Sequence, residues 1–194
     1  FSKEKTAIPT QKIGMPDYAN RPNFTDKAQL PDNFIASLAK NIGNGNGGMN
    51  TQAMWDIQFQ YDITTTSGYA SQAAVVWTGT EFWVSKWNGN DTLLVYDALG
   101  AFQGVLQITG IGPVRGMTTD GTTVYTANNS ATISKVNIAS STVTGTITAP
   151  ITSVRFITYD NSATPGLWIG NFNTDITKID IPASGTASTL TNIT

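Results

Sequence analysis

The sequence VRGMTTDG at residues 114–121 returns as VRFITYDN at residues 154–161. The two copies lie 40 residues apart and keep valine, arginine, threonine and aspartate in register. A fixed period of about 20–50 residues is typical of repeat architectures, in which each copy is one supersecondary unit. The chain is therefore predicted to be built from repeated units.

Three such units follow one another, at residues 72–112, 113–152 and 153–194. Each contains four short runs of apolar and β-branched residues separated by turns rich in Asn, Asp and Gly, which is the pattern of short antiparallel strands. Four such strands in a repeat of about 40 residues are typical of a β-propeller blade. A β-sandwich explains the short strands but gives no reason for similar units, so an all-β propeller is the predicted fold class.

Three blades are too few to close a ring, because closed propellers use about four to eight. We therefore expect about three blades that form part of a larger propeller, or one arc of an assembly. Before the first unit, MWDIQFQYDI alternates apolar and polar residues with a period of two. This stretch predicts a closing strand at residues 54–63, placed outermost in the last blade and paired with residues beyond 194 or with another chain.

Residues 1–50 differ in composition from the predicted propeller region, which covers residues 51–194. Spaced prolines at positions 9, 16, 22 and 31 favour an irregular N-terminal arm, with a short helix near residues 32–40 capped by Asp32. Two interpretations stay open, a disordered leader or an arm that lies against the domain or a partner. Because the chain begins with Phe1, we expect a processed product or a fragment.

Composition excludes several classes of function. The chain has no cysteine and no histidine, which removes disulfides, thiol catalysis, Ser-His-Asp triads and the common zinc sites. A net charge of −2 gives no basic surface for nucleic acid, and no apolar run is long enough to span a membrane. We therefore predict that the chain is not an enzyme and holds no metal or cofactor.

Several segments in the same order resemble the secreted β-propeller proteins of Bacteroidota that leave the cell by type IX secretion. The segments are WDIQFQYDI, VVWTGTEFWVSKW, VRGMTTDGTTVYTAN and LWIGNFNTDITKID, within residues 54–181. The resemblance implies export across the outer membrane and a secreted or outer-membrane-surface location. A protein or glycan partner at the cell surface is expected from the binding-module hypothesis, with the secretion machinery as a further candidate partner. The resemblance also implies a C-terminal sorting domain in a longer parent chain.

Four residues are candidates for ligand binding. Arg115 and Arg155 occupy equivalent positions in the first strands of their units, which line the central channel of a propeller. They are predicted either to bind an anion or carboxylate or to pair with an Asp of the adjacent blade. Trp87 and Phe172 lie beside Asn and Gly in turns and are expected to be exposed. The other aromatics of these hairpins are expected in the core: Trp77, Phe82, Trp83 and Trp168.

Acidic residues recur at blade turns, at Asp97, Asp120, Asp160 and Asp180. Calcium ligation is one interpretation, but local turn hydrogen bonds are expected instead. Asp91-Thr92-Leu93 resembles the Asp-Thr-hydrophobic site of O-glycosylation in exported proteins of Bacteroidota, so Thr92 is a candidate for glycosylation.

The predicted function is that of a secreted or cell-surface, non-catalytic binding or assembly module carried by type IX secretion. The alternative is the propeller portion of a larger secreted hydrolase whose catalytic residues lie outside this chain.

Overall fold

The computed structural model describes residues 60–173 and 176–193. The N-terminal arm, its predicted helix at 32–40 and the first part of the predicted closing strand lie outside these residues. Within them the regular secondary structure is β, apart from one short helix, α1, at Ile63–Ser67. The strands form separate antiparallel sheets that follow one another along the chain, which confirms the all-β propeller-blade prediction.

Blade 1 lies within the first repeat unit. Its strands pair in chain order, each antiparallel to the next: β1 Gln72–Trp77, β2 Glu81–Lys86, β3 Thr92–Asp97 and β4 Phe102–Gln107. The central strands carry apolar residues on both faces, as in TLLVYD, because the sheet is packed on both sides.

Blade 2 repeats this order in the second unit. Its four strands are β5 Gly116–Thr119, β6 Thr123–Ala127, β7 Thr132–Asn137 and β8 Thr142–Thr148. A short fifth strand, β12 at Gly185–Thr186, comes from the third unit and pairs parallel to β8. The third unit therefore reaches back across the outer edge of blade 2.

Blade 3 is formed by the third unit. Its strands are β9 Phe156–Asp160, β10 Gly166–Gly170, β11 Ile176–Ile179 and β13 Thr189–Ile193. Strand β13 takes the outermost place, because β12 has left for blade 2.

The blades pack face to face, with the first strands β1, β5 and β9 side by side. We call the face of a blade that points to the next blade its forward face, and the opposite face its backward face. The forward face of blade 1 and the backward face of blade 2 share one apolar cluster, which includes Trp83, Leu93 and Val124. Blades 2 and 3 share a second cluster, which includes Ile133 and Leu167.

The backward face of blade 1 is covered by the segment that precedes β1. Ile63 of α1 packs against the buried Val84, Leu94 and Tyr96. The hydroxyl of Tyr96 donates a hydrogen bond to the carbonyl of Ile63 at 3.2 Å, and that of Tyr61 donates to the carbonyl of Ala98 at 3.0 Å. The N-terminal segment thus occupies the place of a preceding blade.

This segment corrects only the end of the predicted closing strand, at residues 60–63. Residues 54–59 lie outside the described residues, and the strand there stays a prediction. Residues 60–62 form no strand and Ile63 begins α1. The reason is local: the side chain of Asp62 accepts hydrogen bonds from the backbone N–H and the hydroxyl of Thr65 at 3.0 and 2.8 Å. Asp62 is therefore a helix N-cap rather than the polar residue of an alternating strand.

Candidate functional site: paired arginines at the inner strands

The two candidate arginines hold equivalent positions, each one residue before the innermost strand of its blade. The backbone N–H of Arg115 donates to the carbonyl of Ala127 at 2.6 Å, and that of Arg155 donates to the carbonyl of Gly170 at 3.0 Å. Since β5 and β9 are neighbours, these hydrogen bonds place the two residues next to each other at one end of the strands.

Each arginine lies over an aromatic ring. The guanidinium carbon of Arg115 is 4.1 Å from the ring centre of Trp87, and that of Arg155 is 4.8 Å from the ring centre of Phe172. Stacking of this kind is favourable because the face of the ring carries negative charge density. The structure therefore joins all four candidate ligand-binding residues into two adjacent cation–aromatic pairs.

The two rings are presented by equivalent turns, after the second strands of blades 1 and 3. The turn at Trp87 is held by a hydrogen bond from its backbone N–H to the carbonyl of Ser71, at 2.6 Å. The turn at Phe172 is held by the N–H of Asn173, which donates to Oδ1 of Asn171 at 2.7 Å. Both rings stay partly in solvent, with exposed fractions of 44% for Trp87 and 75% for Phe172.

Neither arginine forms an ion pair with any carboxylate in residues 60–173 and 176–193. The predicted bridge to an Asp of the adjacent blade is therefore not seen there. Nε and Nη1 of Arg115 are buried and make no hydrogen bond. Burial, together with the positive charge of Arg155, lowers the pKa of Arg115 below its usual value.

Two neighbouring cations that lack a carboxylate partner among the described residues create a positive potential at this end of the inner strands. Guanidinium N–H groups match the geometry of carboxylate and phosphate oxygens, often with two parallel hydrogen bonds. The partly exposed rings of Trp87 and Phe172 add apolar surface next to the two guanidinium groups. This arrangement is suited to binding an anion attached to a planar or apolar group.

The candidate glycosylation site lies at the start of β3 and is half-buried. The hydroxyl of Thr92 donates to the carbonyl of Asn90 at 2.8 Å. Oδ1 of Asp91 accepts hydrogen bonds from the N–H groups of Gly110 and Gly112 at 3.1 and 2.7 Å. Asp91 therefore fixes the connection to blade 2, and glycosylation of Thr92 stays a prediction.

The recurring turn aspartates accept local hydrogen bonds, in agreement with the turn interpretation. Oδ1 of Asp120 accepts the N–H groups of Thr122 and Thr123 at 2.9 and 2.7 Å, around Gly121 with a φ of 96°. Oδ2 of the same carboxylate accepts the hydroxyl of Tyr125 at 2.8 Å. In the part of the chain that the structure describes, no group of three acidic residues is arranged to hold a metal.

Lys178 was not singled out by sequence reasoning. It is only 7% exposed, and its Nζ lies 2.6 Å from Oδ2 of Asp160. The same carboxylate oxygen accepts the indole N–H of Trp168 at 3.1 Å. Alternation along β11 places Lys178 on the same face as Ile176, whereas Ile179 points towards blade 2.

Comparisons with known proteins identify no family. No protein-family model and no curated protein matches this chain. Across residues 60–173 and 176–193, no helix has the length and hydropathy required to cross a membrane.

Three solved structures are similar in fold. The WD40 repeats of RRP9 match with a TM-score of 0.49 at 13% identity, over 63% of this chain and 38% of that one. The structure of U3-55K gives 0.49 at 14% identity, over 63% and 39%. Hydrazine synthase of Kuenenia stuttgartiensis gives 0.48 at 16% identity, over 61% and 35%. This chain thus spans well under half of each of these proteins.

Proposed function

We propose that this chain is a non-catalytic binding module, and that Arg115 and Arg155 form its anion subsite with Trp87 and Phe172. The observation that carries the proposal is the pair of neighbouring guanidinium groups, each stacked on a partly exposed ring. Both lack a carboxylate partner in the described residues, so a carboxylate of the ligand would supply the missing charge. The ligand is a protein or glycan at the cell surface.

The cellular setting of the proposal comes from the sequence resemblance. The resemblance supports a module of a secreted or surface-exposed protein carried by type IX secretion, and the low proportion of charged residues, 12%, suits that setting. When that secretion system is deleted, we expect the parent protein to disappear from the culture medium. Retention of normal levels in the medium would contradict the cargo role.

The binding experiment measures affinity for a small carboxylate by calorimetry and by the fluorescence of the chain. D-glucuronate represents an acidic glycan and N-acetylglutamate amide represents an acidic protein side chain, with D-glucose as the neutral control. Arg115→Gln and Arg155→Gln are each expected to weaken binding about tenfold or more, because a hydrogen bond to a charged group contributes about 1.5–3 kcal/mol.

The matched control is Lys86→Gln. Lys86 also lies over an aromatic ring, with Nζ 4.5 Å from the centre of Tyr69, but it is not one of the paired arginines. Affinity should be unchanged in this variant. Equal affinity of the wild type and both arginine variants would overturn the proposed subsite.

The alternative function, a portion of a larger secreted hydrolase with its catalytic residues outside this chain, shares one prediction with the proposal. The purified chain should hydrolyse neither a polysaccharide nor a peptide panel, whichever parent it belongs to. Hydrolysis by this chain alone would contradict the non-catalytic proposal and leave the anion subsite to be tested by binding.

A further inference from the structure

The forward face of blade 3 is an exposed sheet face. Ile157, Leu167 and Ile179 point backward into the cluster shared with blade 2. Because side chains alternate along a strand, their neighbours point forward. The forward-facing residues of the four strands include Phe156, Thr158, Trp168, Ile176, Lys178, Thr191 and Ile193.

This face matches the forward face of blade 2 at a pair of isoleucines. Ile133 pairs with Ile147 in blade 2, and Ile176 pairs with Ile193 at the same place in blade 3. Both isoleucines of blade 2 are fully buried, whereas Ile176 and Ile193 are 42% and 56% exposed. The equivalent isoleucine pair is thus buried in blade 2 and exposed in blade 3.

The polar residues of the two faces match as well. In blade 2 the Tyr125 hydroxyl donates to Asp120 at 2.8 Å, and in blade 3 the indole N–H of Trp168 donates to Asp160 at 3.1 Å. The carboxylate of Asp160 is also paired with Lys178. The forward face of blade 3 therefore offers no unpaired charge at its centre.

Blade 3 itself shows what covers the forward face of blade 2. The ring of Tyr159 stacks on that of Tyr125 with 6.4 Å between centres, and its N–H donates to Oγ1 of Thr118 at 2.9 Å. The register of the strand pairs places Thr158 of blade 3 opposite Trp168, as Thr118 lies opposite Tyr125. Thr158 is exposed.

We propose that the forward face of blade 3 docks one further blade of this chain's own repeat type. The occupant is a four-stranded antiparallel sheet with an aliphatic backward face, an aromatic ring opposite Trp168 and a backbone N–H opposite Thr158. A second intact copy does not offer such a face. Its own blades 2 and 3 cover each other, and its blade 1 is covered from behind by Ile63 and Tyr61.

The test supplies the occupant from the chain itself. A second copy of residues 153–193, which carries the backward face of blade 3, is appended after residue 194 of the full chain. The reporter is a thiol placed by Thr158→Cys in the original blade 3, since the protein has no cysteine of its own. The reaction rate of this thiol with a soluble maleimide is compared with and without the added unit.

The expected result is that the added unit slows labelling of Thr158→Cys at least tenfold. Thr146→Cys, on an exposed position of β8, is the control reporter and should react at the same rate in both proteins. Ile176→Lys in the original blade 3 should restore fast labelling, because it places a charge in the apolar contact.

Three results would overturn the proposal. The first is unchanged labelling beside a folded added unit. The second is an added unit that hydrogen exchange shows to be unfolded, since docking on the forward face of blade 3 is proposed to stabilise it. The third is a wild-type chain that dimerises and protects the Thr158→Cys thiol without any added unit, which would assign the face to a second copy.

Discussion

Lys178 is a buried cation of blade 3, and its ammonium group is stabilised by an ion pair and by hydrogen bonds. Besides its ion pair with Asp160, the Nζ of Lys178 donates to the carbonyl of Thr164 at 2.7 Å and to Oγ of Ser162 at 3.1 Å. It also lies 5.8 Å from the ring centre of Trp168. A buried charge is tolerated when its hydrogen bonds are satisfied, and here three oxygens surround it.

This contact predicts a defined loss of stability in acid. The hydrogen bond from Lys178 is the main reason that the pKa of Asp160 is lowered to about 2. Because the folded-state pKa lies below the ordinary value of 3.8, the stabilisation is present above about pH 4 and is lost as the pH falls towards 2. Asp160→Asn should therefore be less stable than the wild type at pH 5, with the difference narrowing by pH 2.

Urea unfolding at pH 5, 4, 3 and 2 measures this difference. Lys178→Met should remove the same pH dependence, since it takes away the donor that lowers the pKa of Asp160. If Asp160→Asn and the wild type lost stability in parallel down to pH 2, the ion pair would have no part in acid unfolding.

At the scale of the element, the start of β5 lies close to the residue that precedes β9. Gly116 makes this approach possible, because a Cβ at this position would lie 2.9 Å from the carbonyl oxygen of Arg155. The spacing of these strands also sets the distance between Arg115 and Arg155, so the glycine affects both the packing and the anion subsite.

Gly116→Ala is expected to separate the two strands and to destabilise the fold by about 1–3 kcal/mol, the usual cost of an overpacked contact. It should also weaken glucuronate binding. Thr146→Ala, an exposed strand substitution, is the control and should change the free energy of unfolding by less than about 0.5 kcal/mol. Thermal unfolding measures the stability of both variants, and calorimetry measures their affinity for glucuronate. A Gly116→Ala protein with wild-type stability and affinity would contradict the close approach.

The elements differ in how far the sequence alone predicts them. The repeat of VRGMTTDG and the Asn/Gly turns were sufficient to predict four strands in each unit. The alternation in MWDIQFQYDI failed at its end, because Asp62 caps a helix and a local hydrogen bond outweighs periodicity there. Strand β12 was missed since its partner, β8, belongs to another unit.

The sequence was sufficient to predict the four residues of the candidate site, but not the contacts between them. Arg115 and Arg155 stand out through the repeat, and Trp87 and Phe172 through their turns. Which ring each arginine meets depends on how the blades pack, and Trp87 belongs to blade 1 while Arg115 belongs to blade 2. No sequence pattern reports that contact.

On the scale of the whole molecule, the two ends of the described blades differ. Ile63 and Tyr69 close the backward face of blade 1, although Val75 stays 60% exposed there beside a groove of about 200 Å³. The forward face of blade 3 has no such cover among the described residues, and Ile193 is 56% exposed.

Ile63→Asp tests whether α1 protects the backward face of blade 1. The charge should undock α1, cost about 1–2 kcal/mol of burial free energy, and expose the apolar residues of blade 1. The expected signs are binding of a hydrophobic dye and concentration-dependent association by light scattering. Thr64→Asp, at an exposed position of the same helix, is the matched control; equal dye binding by both variants would show that α1 does not protect blade 1.

Residues 182–187 have a further consequence for the order of synthesis. Lys135 of blade 2 holds this segment by donating to the carbonyls of Pro182 and Ala183 at 3.1 and 3.3 Å, and Ala187 donates its N–H to the carbonyl of Thr148 at 2.9 Å. A ribosome delivers all four strands of blade 2 before these residues emerge. During that interval β8 is an unprotected sheet edge, the kind that recruits foreign strands. A nascent chain that pauses there would be most exposed to misassembly, and release of the third unit would end that exposure.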